Sequence, residues 1–192
     1  MDTFSIMRNL YFLFLLFFFS CQEEEFLPKG AQLMLNPNLS QFKDSVDPWK
    51  PSNLDGIQMG VSREIFMSGN RSLFIENQDP TKASAASWSQ TYTGPMPLPG
   101  STLELVAFIK GENVQDLTAG GRPYIMVKTF PQVKQISVAG TSLDMQGDFD
   151  WVLVKATLEN FPKDAERIEV SVNVPDLTIG KLYIDEINLT VK

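Results

Sequence analysis

The sequence predicts an all-β domain, an antiparallel β-sandwich of jelly-roll type, and three observations carry that expectation. From about residue 31 onward, short runs rich in β-branched and apolar residues recur between Pro, Gly, Asn and Asp breakers. Two of the runs alternate cleanly: Ile168, Val170, Val172 and Val174 fall on one face, with Glu169, Ser171 and Asn173 on the other. Leu103, Leu105, Ala107 and Ile109 form a second such row, and no window holds a helical stripe.

In chain order the expected strands are roughly 31–35, 56–61, 72–76, 85–92, 102–110, 122–130, 134–139, 150–158, 166–174 and 179–190. Each is a run with strand-forming residues bounded by turn formers. About ten short strands at regular spacing suit a two-sheet sandwich, and no repeat or internal linker interrupts them. Residues 31–192 therefore read as one domain. A chain of that length buries roughly 70% of its unfolded surface.

The first twenty residues read differently. Arg8 precedes an apolar run of about ten residues (Leu10 to Phe19), and Ser20 stands before the sole cysteine, Cys21. The run is shorter than the roughly 20 residues a membrane span needs. Residues 1–20 are thus expected to be a signal peptide and Cys21 a lipid-modified residue. Of the positions before Cys21, only Ser20 fits the usual lipobox well. Glu23, Glu24 and Glu25 resemble the acidic surface-export signal of Bacteroidetes lipoproteins. On that resemblance the domain is lipid-anchored in the outer membrane and faces outward, with 21–30 as an acidic tether of at most about 30 Å.

Composition excludes several functions. The net charge is −7 with no basic run, so nucleic acid is a poor partner. There is no histidine, which removes the commonest general base and every Ser-His or Cys-His arrangement. No phosphate-binding glycine loop or EF-hand loop is present. Carboxylate pairs are available, but no motif selects one, so the chain is read as non-catalytic.

Five segments in order carry a family resemblance: LNPNLSQFKDSVDPWKP, SGNRSLFIEN, WSQTYTGPMPLPGSTLELVAFIKGEN, DFDWVLVKATLENFPKDAERIEVSVNV and GKLYIDEINLTVK. Together they resemble the galactose-binding-like β-sandwiches, especially carbohydrate-binding modules of the family 4 and 9 type. The resemblance implies a glycan or polysaccharide partner. It also implies a structural calcium ion, with Asp185 as a ligand and carbonyls near Gly69, Asn70 and Arg71 contributing. The family commonly has Phe-Glu in the opening segment where this chain has Leu39-Ser40, so one expected carboxylate is missing.

Sugar sites use flat rings for pyranose C–H faces and polar groups for hydroxyls. Trp88, Gln90 and Tyr92 share one face of their strand and are a candidate platform; the same pattern also fits a core-facing strand. Tyr124, Met126 and Lys128 form a second polar-aromatic face, Tyr124 and Lys128 being candidate ligand contacts. Trp49, in a loop rich in Pro, Asp and Ser, is a candidate rim residue or a plug on the sandwich end. Trp151 is expected in the core. A glycan-capturing surface lipoprotein is the leading expectation. A partner-binding subunit of an envelope complex and, last, a polysaccharide lyase are the alternatives.

Overall fold

The alternation becomes ten strands in the computed structural model, which describes residues 26–192 apart from 53–55, 82–84, 118–121, 132–133 and 140–142. They are β1 (Lys50–Pro51), β2 (Gln58–Ser62), β3 (Ser72–Asn77), β4 (Ala86–Tyr92), β5 (Leu103–Asp116), β6 (Tyr124–Phe130), β7 (Lys134–Ala139), β8 (Gly147–Leu158), β9 (Arg167–Val174) and β10 (Thr178–Val191). The first sheet has the order β1-β4-β9-β6-β7 and the second β2-β3-β10-β5-β8. Every strand pairing within them is antiparallel. The fold class is the one the sequence predicts. Among the described residues no helix is long and apolar enough to cross a membrane.

The core lies between the inner faces. β5 contributes Leu103, Leu105, Ala107 and Ile109, and β9 contributes Ile168, Val170, Val172 and Val174, all buried. Each Leu, Ile or Val side chain taken out of water stabilises the fold by about 1.5–3 kcal/mol. In β10 the inward residues are Leu182 and Ile184, then Ile187, Leu189 and Val191. The phase changes at Glu186, which has φ 52° and forms a bulge between the Asp185 and Asn188 pairings with β5. The bulge keeps Leu189 and Val191 in the core; an unbroken strand would turn both outward.

Three expectations are corrected here. Residues 31–35 form no strand, because Gln32 meets Thr190 only as an isolated bridge. Leu33 N donates to Leu189 O at 2.9 Å and Val191 N to Ala31 O at 3.0 Å, but the Gln32 side-chain Oε1 accepts from Leu189 N at 2.9 Å, taking up the amide that would have extended the ladder. Leu27 to Gly30, read as tether, dock on the sandwich: Leu27 N donates to Met96 O at 2.9 Å and Gly30 N to Val191 O at 2.7 Å. Trp151 is half-exposed on the outer side of β8, because it shares the phase of the exposed Leu153 and Lys155, opposite to the buried Val154 and Ala156. The signal peptide, Cys21 and the acidic run lie outside the described residues.

Candidate functional site

Strand pairing sets which side chains share a surface. Trp88, Gln90 and Tyr92 of β4 stand opposite Val172, Val170 and Ile168 of β9, the core-facing set. Trp88 is 3% exposed and Gln90 3%, so neither can meet a ligand. The indole Nε1 of Trp88 donates across the sandwich to Phe74 O at 3.1 Å. The Gln90 amide donates to Leu35 O at 2.9 Å and accepts from Leu35 N at 2.8 Å. Tyr92 is half-buried against the core; its hydroxyl donates to Pro95 O at 2.9 Å, and burial pushes its pKa up. Trp49 is 2% exposed and donates from Nε1 to Asn36 O at 3.2 Å, a plug on the sandwich end. The platform reading of β4 and the rim reading of Trp49 both give way to packing.

The opposite phase of the same sheet makes a surface. Ser87, Asn173 and Tyr124 lie in one row across β4, β9 and β6. Ser89, Ser171 and Met126 make the next row, with Lys50 of β1 beside Ser89. Thr91, Glu169 and Lys128 make the third. Tyr124 and Lys128 are therefore on the outer face, with the buried Met126 between them and Asn173, Ser171 and Glu169 of β9 beside them. Serines offer only hydroxyls, so the floor beside the Tyr124 ring stays low.

This surface carries ordered polar groups. Asn173 Nδ2 donates to Ser171 Oγ at 2.9 Å. Lys128 Nζ lies 3.8 Å from Glu169 Oε1, and the Arg167 guanidinium sits 4.1 Å from the centre of the Phe130 ring at the next row. One half-exposed ring with a carboxamide, a carboxylate and an ammonium nearby can stack on a pyranose and bond its hydroxyls. The alternation of β9 displayed Glu169, Ser171 and Asn173 as a polar set. What it withheld was that β6 runs beside that set.

Asp185 lies elsewhere, on the outer side of the second sheet, yet is fully buried, with the backbone of Met67 and Ser68 against it. Its Oδ2 accepts from Met67 N at 2.8 Å and Ser68 N at 3.0 Å, and its Oδ1 from Glu186 N at 2.8 Å. Burial raises its pKa to about 6 against those three N–H groups, and the Glu186 charge adds to the rise. Both oxygens are thus turned to N–H donors, not to a cation. Ser40, at the position of the missing carboxylate, accepts from Asn70 N at 3.3 Å and donates to Asn38 O at 3.1 Å. A Cβ on Gly69 (φ 67°) would come within 2.2 Å of that hydroxyl. Hydrogen bonds between Ser40 and Asn70 tie the opening segment to the loop where the resemblance places part of a calcium site. The residues present do not fit that ion, and among the described residues no group of three acidic, His or Cys side chains forms a metal site.

No family model and no curated protein sequence matches the chain. Solved structures do. A xylan-binding family 22 carbohydrate-binding module of Paenibacillus barcinonensis Xyn10C aligns at 15% identity with TM-score 0.55, over 86% of this chain and 97% of that one. The module TmCBM61, solved with β-1,4-galactotriose, aligns at 15% identity with TM-score 0.53, over 84% and 99%. A Stig cyclase of Fischerella sp. TAU aligns at 12% identity with TM-score 0.63, over 85% and 98%. The enzymatically active domain of bacteriophage CBA120 tailspike protein 4 aligns with TM-score 0.61 at 15% identity, and this chain spans 21% of it. At these identities the likeness establishes the fold, which binding modules and enzymes share.

Proposed function

We propose that this protein is a non-catalytic glycan-binding module whose site is the outer face of the first sheet, centred on Tyr124, Asn173 and Lys128. The observation that carries the reading is the row structure of that face. An aromatic ring, a carboxamide and a Lys-Glu pair are presented by the two adjacent strands β6 and β9, with Ser87 and Ser89 of β4 alongside. Carbohydrate-binding modules among the structural neighbours support it, one a xylan-binding domain and one solved with a galactotriose. Rigid strands hold such a surface ready, which lowers the ordering cost of binding.

The leader supports a lipid anchor on Cys21, with the domain held at the outer membrane facing outward. Several acyl chains would hold it firmly, where one holds marginally. Acyl labelling that vanishes in Cys21→Ser tests the anchor. A glycan array tests the binding: at least one polysaccharide is retained by wild type, and an empty array overturns the reading.

A second reading, a partner-binding envelope subunit, draws on the other sheet. Phe108 and Leu153 are register partners on its outer face, Leu153 is 49% exposed, and Trp151 lies two residues along. A stoichiometric protein co-purifying with wild type and lost in Leu153→Lys would favour it.

A further inference from the structure

At one end of the second sheet a cleft of about 420 Å³ opens where β3, β10 and β5 meet. Its size falls in the range of small-molecule sites. Two backbone features build it. β5 carries an extra residue between its Gly111 and Val114 pairings with β8, and Asn113 there has φ 52°. Opposite, Gly180 has φ 107°, and a Cβ on it would come within 2.5 Å of Asn113 O and 2.8 Å of Glu112 O. A bulge facing an obligatory glycine re-aims side chains and interrupts the row that would have filled the space.

The lining is chemically specific. Glu76 and Glu112 present carboxylates, Gln78, Asn113 and Gln115 carboxamides, and Lys181 an ammonium. Lys181 Nζ is 3.1 Å from Glu76 Oε2 and 4.6 Å from the centre of the Phe74 ring. The Tyr183 hydroxyl donates to Glu112 Oε2 at 3.2 Å. The Gln78 hydrogen bond, opposed by burial and joined by Lys181, holds the Glu76 carboxyl below its usual range. Two carboxylates against one ammonium disfavour an anion. Lys181 over the ring disfavours an apolar ligand. Carboxylate acceptors interleaved with amide donors and acceptors match a ligand whose every hydroxyl both donates and accepts.

We infer that this cleft is a second saccharide site, separate from the outer face of the first sheet, that takes the hydroxyl-rich end of a glycan chain through Glu112, Asn113 and Gln115. The ligand class rests on the proposed glycan-binding function; the location does not. Two sites on different faces of one anchored domain would let it bridge two chains or two stretches of one chain, raising avidity with no new contact.

The test is amide chemical-shift mapping of the full mature domain with each glycan retained on an array. The expected result is two sets of shifts, one around Tyr124 and Asn173 and one at Gly180, Asn113 and Gln115. Glu112→Gln and the exposed-site variant Gln115→Ala should abolish the second set or weaken it at least tenfold, and leave the first unchanged. Shifts confined to the first sheet for every glycan overturn the second site while leaving the proposed function standing. Calcium shifting Gly180 and Asn113 where no glycan does would also overturn it, in favour of a cation site. An empty array removes both.

Discussion

The side-chain amide of Gln90 pairs with both backbone groups of Leu35, donating at 2.9 Å and accepting at 2.8 Å. One buried residue of β4 thereby acts as a strand partner for a segment that has no strand of its own. A carboxamide that supplies both a donor and an acceptor can replace a backbone in this way.

Gln90→Leu should therefore lower stability by about 1 kcal/mol for each of the two hydrogen bonds lost, since Leu35 is 59% exposed and water can take up its backbone groups. Urea unfolding followed by Trp fluorescence measures the loss. Glycan affinity of the folded variant should be unchanged. A variant of wild-type stability that no longer binds would return Gln90 to the site.

Trp88→Phe removes the indole donor and leaves Phe74 O without its cross-sandwich partner. An unfolding free energy lower by about 1–3 kcal/mol is expected, again with binding retained. An unchanged midpoint would show that this bond contributes nothing to holding the sheets together.

Asp185 gives a pH signature. Its pKa in the folded state is raised to about 6, above the ordinary carboxylate value of 3.8 it takes when unfolded. The folded protein then binds the proton more tightly between those two values. Stability from this group is fully present below about pH 4 and is lost as pH rises toward 6. Wild-type urea midpoints should contain that falling component, and Asp185→Asn should lack it. A midpoint in wild type that rises through the same window by the amount seen in Asp185→Asn would contradict the raised pKa.

Because Asp185 spends both oxygens on backbone N–H groups, chelation has nothing to remove there. Thermal unfolding in excess chelator should match that in calcium. A fall in Tm on chelation would restore the ion that the family resemblance implied.

Much of this architecture was legible in particular residues. β5 and β9 alternate so regularly that their inner faces follow directly from the sequence. The spacing from Ile184 to Ile187 is three where a flat strand has two, and it marks the bulge at Glu186. For β4 the sequence left platform and core both open, and phase decides for the core. Trp88 and Tyr92 are the large rings, and a sandwich fills its interior with large rings while leaving serines outside. Which phase faced inward depended on Val170 and Val172 as register partners, a relation between strands some eighty residues apart. Lys50–Pro51 was invisible because two residues carry no period, and its proline is tolerated only at an edge. The cleft at Gly180 was hidden for a similar reason: its residues come from three strands, each polar there without pattern.

The central claim is that glycan binds the outer face of the first sheet through Tyr124 and Asn173. Titration calorimetry of wild type, Tyr124→Ala and Asn173→Ala against the best array glycan tests it most directly. Each variant should bind that glycan at least tenfold more weakly at the site, a loss of about 1.4 kcal/mol, with unfolding midpoints near wild type. Wild-type affinity in both variants would contradict the account.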